Sequence, residues 1–363
     1  MSLIERLEKY CLTPAMSGFE DEMIKKLKAD LEGHVDEIRV DVLGNVIATI
    51  KGTSPDGSDL MVFAHTDSLG MIVKGIDSDG FIRIERVGGV PERILAASNV
   101  ILQTSSGKII NGVIGFVSHH LTPPDDKYIV KPIGDCYIDI GATSSSEVEA
   151  AGIRIGTPVL YRPSFERLIN NRVAATSLDD RGGCALLIEL AQHFSKNRPQ
   201  ATLHLVGTVQ EEFNLRGAMV AAQQVQPTAA ISIDLVAASD TPDISGGNSI
   251  SVGAGPVVGT YTFHGRGTLN GLIPHPKLLS FVEEAAKSQK ITLQRHATIG
   301  LLTDASYVQL VGSGIACVDV AWPTRYTHSG VEVSSLDDLE NLKKLLIKVI
   351  EKFPANENFS RLE

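Results

Sequence analysis

Five ionisable residues stand at the ends of apolar runs or at turns: His65 after Leu60 to Ala64, Asp179, Glu212 after Leu203 to Gln210, Asp234 after Ala229 to Ile233, and His328. Each is a residue type that binds zinc or a similar divalent ion through nitrogen or oxygen. In an open α/β sheet the carboxyl ends of the strands line the ligand crevice, so residues far apart in the chain can meet there. Two histidines and three carboxylates suit a pair of divalent ions in which one carboxylate bridges. That chemistry would be the activation of water for hydrolysis.

Each residue also has a plainer reading. A lone histidine such as His65 is commonly a hydrogen-bonded structural residue, and an aspartate closing a strand, such as Asp234, is commonly a turn residue. Asp179 and Asp180 suit the N-cap and first turn of a following helix, and Glu211 with Glu212 could be a solvated pair. The conjunction favours the metal reading, because several acids ending strands of one sheet repel one another unless a cation compensates.

These residues need a framework, and the chain alternates helix and strand around them. Leu3, Ile4, Leu7 and Tyr10 fall at helical spacing, and Ser17 with Glu20 has the form of a capping box ahead of Met23, Ile24 and Leu27. Val46 to Ile50 and Leu60 to Ala64 read as a strand pair around a surface loop, Gly52 to Ser58. After Arg167 the pattern predicts helix 182–194, strand 202–209, helix 215–223, strand 229–234, strand 257–263, helix 277–288, strand 315–320 and helix 336–353. Strand and helix in turn imply an α/β sheet with covered faces. From about Gly70 to Tyr161 short strand-like runs (81–87, 100–104, 109–116 and 158–161) alternate with turn residues, which predicts a small β-rich unit inserted in the α/β domain.

The chain has 363 residues, 43% of them hydrophobic, and a formal charge of −10. That length suggests about two domains. The acidic balance argues against a nucleic-acid binder, which needs a basic face to displace counterions from phosphate. No segment reaches the roughly 18 apolar residues that span a bilayer, and charges at Glu5, Arg6, Glu8 and Lys9 interrupt the N-terminus where a secretory leader would be apolar. A cytoplasmic protein is expected, with no membrane and no nucleic-acid partner. Cys11, Cys136, Cys184 and Cys317 have no paired spacing and read as buried free thiols. Gly265-Arg266-Gly267 lacks the setting of a dinucleotide fingerprint and reads as a loop. His119-His120, among Pro123, Pro124 and Asp125, reads as a surface loop of the insertion.

Four segments carry a resemblance. They are Ala64-His65-Thr66-Asp67-Ser68-Leu69-Gly70, Ser177-Leu178-Asp179-Asp180-Arg181-Gly182-Gly183-Cys184, Gln210-Glu211-Glu212-Phe213-Asn214-Leu215-Arg216-Gly217-Ala218 and Pro323-Thr324-Arg325-Tyr326-Thr327-His328-Ser329. In this order they resemble the signature segments of the M42 family of dinuclear metallo-aminopeptidases, which includes the tetrahedral TET aminopeptidases and proteins once labelled endoglucanase M. Met16-Ser17-Gly18-Phe19-Glu20 and Asp240-Thr241-Pro242 also fit, so the resemblance runs from near residue 13 to near residue 350.

The resemblance implies a zinc-peptidase-like sandwich, a mixed central sheet flanked by helices, formed by residues 1–68 and 165–363. Residues 69–164 would be an inserted β-barrel-like oligomerisation domain, through which the family commonly forms dodecamers. It further implies two divalent ions per subunit, zinc first and cobalt or manganese as alternatives. Asp179 would bridge them, with His65 and Asp234 on one ion and Glu212 and His328 on the other. Glu211 matches the general acid/base, and Asp67 the carboxylate that orients the His65 imidazole. Adjacent side chains in an extended segment point to different sides, so Glu211 and Glu212 can hold different jobs. The implied activity is hydrolysis of the N-terminal residue from short peptides, with Glu211 moving the proton. Arg325 and Tyr326, beside His328, suit either substrate contact or packing.

Thr66, Ser68 and Leu69 depart from the Met, Glu and Ile usual in the first segment, and Phe213-Asn214 from the common Val-Gly; none of these changes removes a ligand. Two other readings stay in view. A glycoside hydrolase would need two carboxyls flanking one bond, a poor match to the adjacent Glu211 and Glu212. A non-catalytic metal-binding protein would keep the ligands without turnover.

Overall fold

A computed structural model describes residues 1–54, 57–244, 250–265 and 269–362. Arg266 and Gly267 of the expected loop lie outside these residues. The observed architecture is the expected α/β class: a large mixed sheet flanked by helices, with a closed six-stranded antiparallel barrel.

The centre of the sheet is parallel. Thr202–Thr208, Asp59–His65, Ala229–Ala237 and Ala316–Arg325 lie side by side in that order. Their residues alternate between two buried faces. Leu60, Val62, Ala64, Leu203, Leu205, Ile231, Ile233, Val318 and Val320 face a core closed by the helices Leu3–Cys11, Asp21–Leu31, Leu178–Phe194, Pro276–Gln289 and Leu336–Lys352. Met61, Phe63, Val206, Ala230 and Cys317 face a second core under the helices Gly217–Val225 and Ala305–Val308. Burial on both faces explains why these strands read as continuous apolar runs. The four cysteines are free and buried, as expected.

Two local expectations are corrected. Val46–Ile50 and Asp59–His65 are both strands, but they do not pair with each other. Thr202–Thr208 lies between them, antiparallel to the first and parallel to the second; proximity in the chain gave way to the burial that a central parallel strand gains. The capping box forms at Ser2 and Glu5, and the Ser17–Glu20 pair does not form one. Ser17 donates instead to the Asp67 carboxylate, and the Glu20 carboxylate accepts from the Gly18 and Gln210 amides. Tertiary partners outcompete the local cap because both residues lie against the site.

The barrel is built from Gly70–Ile76, Ile82–Val87, Tyr137–Asp139, Ile109–Ile114, Asn99–Gln103 and Pro158–Tyr161. Met71, Val73, Ile84, Leu102, Ile114 and Val159 are part of its core. His119 and His120 sit in an exposed turn, as expected. No helix among the described residues is long and apolar enough to cross a membrane.

The helix Leu178–Phe194 presses closely on the sheet at Gly182 and Gly183. A Cβ on Gly182 would run into the Trp322 indole, and one on Gly183 would come within 2.7 Å of the Ala64 Cβ. Overpacking at such a contact typically costs about 1–3 kcal/mol. Gly182→Ala is therefore expected to lower the free energy of unfolding in urea by that amount and to shift the midpoint down accordingly; a midpoint equal to the parent's would contradict the close packing.

Candidate active site

The parallel strands deliver the first residues. In register, Thr208 pairs with His65 and Asp234 with Ala321, so the carboxyl ends of neighbouring strands open on one crevice. His65 is the last residue of its strand and is 2% exposed. Its Nδ1 lies 3.1 Å from the Asp67 carbonyl oxygen, and its Nε2 lies 2.9 Å from Asp179 Oδ1. With Nδ1 donating to that carbonyl, Nε2 carries a lone pair aimed at a carboxylate oxygen. Two acceptors so placed need a cation or a proton between them.

Buried Arg181 fixes the segment that follows His65. Its guanidinium donates to the carbonyls of Thr66, Thr13 and Ala15. Cys184 Sγ donates to the His65 carbonyl at 3.1 Å.

Asp179 and Asp180 open the long helix with non-helical dihedrals, and the peptide bond between them is cis. The two acids do different things. Asp180 Oδ1 accepts from the Gly183 amide at 2.9 Å and thus caps the helix, whereas Asp179 faces His65 and His328. Capping suits Asp180 alone.

Glu211 and Glu212 follow the strand Thr202–Thr208 in a loop with left-handed residues at Gln210, Asn214 and Leu215. Those dihedrals delay the next helix to Gly217. The loop is held by carboxylates from elsewhere. Asp67 Oδ1 accepts from the Glu211 amide and Oδ2 from the Glu212 amide, each at 3.0 Å, while Ser17 also donates to Asp67. The same Asp67 carboxylate lies 3.5 Å from His65 Nδ1, so this one buried acid touches three of the candidate residues.

His328 sits in a turn with φ +65° beyond the strand Ala316–Arg325. Its Nδ1 bonds the Gly89 carbonyl at 3.1 Å, a contact supplied by the barrel segment. Its Nε2 lies 3.7 Å from Asp179 Oδ2 and 3.8 Å from Glu212 Oε2. Arg325 is turned away and donates twice to Asp240, at 2.8 and 2.6 Å. Tyr326 is exposed.

Ligand atoms of His65, Asp179 and Asp234 lie within 4.8 Å of one another, and so do those of Asp179, Glu212 and His328. Asp179 belongs to both groups. Glu211 belongs to neither, although it lines the same cleft as Asp179, Glu212, Asp234 and His328. The cleft has a volume of about 540 Å³, and Phe213, Leu235, Leu301 and Leu302 form its apolar walls.

The protein groups alone do not balance the charge. Burial pushes Glu211 and Asp234 well above the usual carboxylate range; the charges of Asp234 and Asp304 add to the effect on Glu211, and that of Asp179 to the effect on Asp234. Burial, reinforced by Asp179, raises Glu212 to about 7 and Glu332 to about 8. Glu212 draws His328 up to about 9 against the effect of burial. Burial also opposes protonation of His65, but hydrogen bonds to Asp179 and Asp67 and the charge of Glu211 leave it well raised. Glu212 Oε1 is buried without a hydrogen-bond partner. Crowded acids, histidines that seek positive charge and an orphaned carboxylate oxygen all fit a divalent cation.

The sequence reading missed Glu332, Glu20 and Ser17 as parts of this site. Glu332 accepts from the amides of both Asp179 and His328. Its available signal was an acid between two valines, Val331 and Val333.

Parallel strands that open such a cluster into an apolar-walled cleft have the layout of a hydrolase that works with divalent metal. The model of the M42 glutamyl aminopeptidase family matches residues 44–345, and the chain belongs to that family. It is 35% identical to the lysyl aminopeptidase of Pyrococcus furiosus over 351 residues, 96% of each chain. Its fold matches an aminopeptidase from the archaeon Desulfurococcus kamchatkensis with a TM-score of 0.91 and 33% identity, over 97% of this chain and 95% of the other. It also matches the TET1 peptidase of Pyrococcus horikoshii, described as assembling into a tetrahedron or a large octahedral shell. That match has a TM-score of 0.84 and 30% identity, over 97% of this chain and 100% of the other. The chain is accordingly a peptide hydrolase of the aminopeptidase kind.

Proposed function

We propose that this enzyme removes the N-terminal residue from short peptides with two divalent ions, zinc first among them. His65, Asp179 and Asp234 would hold one ion, and Asp179, Glu212 and His328 the other. The observation that carries the reading is the membership of Asp179 in both groups. Divalent ions held there would supply Lewis acidity, polarising a peptide carbonyl and bringing a water toward ionisation near neutral pH. Glu211, outside both groups but in the same cleft, takes a proton from the attacking water and returns it to the leaving amine. Its burial suits both halves of that task, since a carboxyl with a raised pKa holds a proton more readily between taking it up and giving it away. Asp67 keeps Glu211 in place through its main-chain amide and steadies His65. The acidic floor attracts the substrate's α-ammonium group, which favours cleavage after the first residue. Glu211 and Glu212, adjacent and held on one carboxylate, give no support to a glycosidase pair.

The division into residues 1–68 with 165–363 and an inserted domain at 69–164 is part of the same proposal. Phe116, Val117, Leu121, Tyr128, Ile129 and Val130 of the insertion are exposed and suit self-association, up to a dodecamer. The architecture named for the TET1 peptidase supports this, and sedimentation velocity tests it: a monomer at micromolar concentration would overturn it. Four unpaired buried thiols support a cytoplasmic location.

A panel of aminoacyl anilides, assayed before and after chelation and again with zinc, cobalt or manganese restored, tests the central reading. Turnover that survives complete chelation would overturn it. A second readout is stability. Glu212, Glu332 and Asp304 have folded-state pKa values of about 7, 8 and 7, above the unfolded range near 4. Where the folded state binds more protons than the unfolded state, stability falls as pH rises. The chelated protein should therefore lose stability between about pH 4.5 and 8. Metal at a hundred times its Kd should restore about 2.7 kcal/mol per site. A chelated protein with a melting temperature that rises over this pH window would contradict the charge crowding.

A further inference from the structure

Glu332 contributes no atom to either ligand group, yet both of its carboxylate oxygens are committed to residues that do. Oε2 accepts from the Asp179 amide at 3.1 Å, and Oε1 accepts from the His328 amide at 2.9 Å. The two amides come from unrelated elements. Asp179 lies in the first turn of a long helix, where main-chain N–H groups have no partner within the helix. His328 lies in a left-handed turn, and its amide donates to Glu332. Glu332 itself begins the short strand Glu332–Ser335, which pairs with Ala316–Arg325 and with Arg172–Ala175. It is 1% exposed, so water does not compete for its oxygens.

We propose that Glu332 is a positioning residue of the metal centre, one carboxylate that sets the spacing and aim of Asp179 and His328 and thereby the affinity for divalent ions. The inference rests on the metal reading above. It parallels what Asp67 does for the Glu211 and Glu212 amides. The two clasps together fix the main chain under three of the five ligand residues and under the general acid/base. A carboxylate with both oxygens engaged by amides is poorly placed to be a ligand itself. Residues that orient ligands typically change metal affinity on the order of 10- to 100-fold when removed.

The plainer alternative is that Glu332 only satisfies two buried amides. That role would move stability and leave metal affinity alone. Glu332→Ala and Glu332→Gln separate the two. In Gln the side-chain oxygen can hold one amide, and the NH₂ group faces the other donor, so one clasp is kept and one is lost. Cobalt(II) titration against a competing chelator should show the Ala variant weakened on the order of 10- to 100-fold and the Gln variant between it and the parent. Hydrogen exchange of the chelated proteins should show the amides of Asp179 and His328 exchanging at least about 10-fold faster in the Ala variant. The amides of Glu211 and Glu212, held by Asp67, should keep the parent's rate.

Parent-like cobalt affinity in the Ala variant, or unchanged exchange at Asp179 and His328, would overturn the inference. If the Ala variant does not fold, the Gln variant decides by the same two measurements. A parent protein that binds no cobalt would overturn the proposed function instead, and the exchange rates would then decide the clasp alone.

Discussion

Glu211→Gln is expected to keep its full complement of divalent metal and lose at least about 10²-fold in kcat on aminoacyl anilides, the lower range of a general acid/base contribution. The expectation follows from how Glu211 is held. Its fixed point is the main-chain amide on Asp67 Oδ1, which glutamine retains, and its side chain is in neither ligand group. Glutamine has nearly the same shape but neither accepts a proton from water nor delivers one to an amine. Because the lost interaction belongs to the transition state, kcat and kcat/KM should fall together with little change in KM. Elemental analysis of the purified variant beside steady-state kinetics separates the possibilities. Full turnover would remove Glu211 from proton transfer, and loss of metal in the variant would place it among the ligands.

Much of this arrangement was legible because the chemistry sits at the ends of strands that announce themselves. Leu60 to Ala64 are buried on both faces, so that apolar run stops where the sheet opens on the cleft, at His65; the other strand was expected to end at Asp234 but continues through buried Leu235 and Val236 to Ala237, with Asp234 inside it. The barrel was visible as short strand-like runs set between turn residues, and the buried residues of those strands line one interior. What escaped was nonlocal. The insertion of Thr202–Thr208 between two strands that are neighbours in sequence depends on parallel register, which no turn signal encodes. Glu332 lies in a four-residue strand buried at every position, too short for a period to show.

Asp179 and Asp180 illustrate a different limit. Both have the right chemistry for a helix start and for a metal. Only the backbone dihedrals around them decide that Asp180 turns to the Gly183 amide and Asp179 to the histidines. Ser17 and Glu20 failed as a capping box because the sequence pattern says nothing of Asp67 and Gln210, which take their hydrogen bonds. Asp180 kept its local cap, but Asp179, Ser17 and Glu20 each had competent partners near and far, and each took one far along the chain. Local rules fail there for a physical reason: a functional cluster gathers polar groups from several elements, and each finds a partner outside its own.

Asp179→Asn should be the most damaging change to metal binding, because Asp179 is the one residue common to both ligand groups. Asparagine preserves the shape and the main-chain amide that Glu332 accepts, so the two clasped segments stay in place. It removes the negative charge and leaves a single oxygen to accept, where the carboxylate offers Oδ1 toward His65 at 2.9 Å and Oδ2 toward His328 at 3.7 Å. One oxygen cannot serve both directions. The variant is expected to bind at most one equivalent of cobalt under conditions that saturate the parent, with affinity at least about 10²-fold weaker, beyond the usual loss from a residue that only orients a ligand. Asp234→Asn and Glu212→Gln touch one group each, so each should leave the other group able to bind. Titration of all three variants by cobalt absorbance gives the pattern directly. Two equivalents in Asp179→Asn at parent affinity would show that the groups do not share a ligand. Equal losses in all three would show that the ions bind as one cooperative unit, with His65 and His328 coupled through more than Asp179.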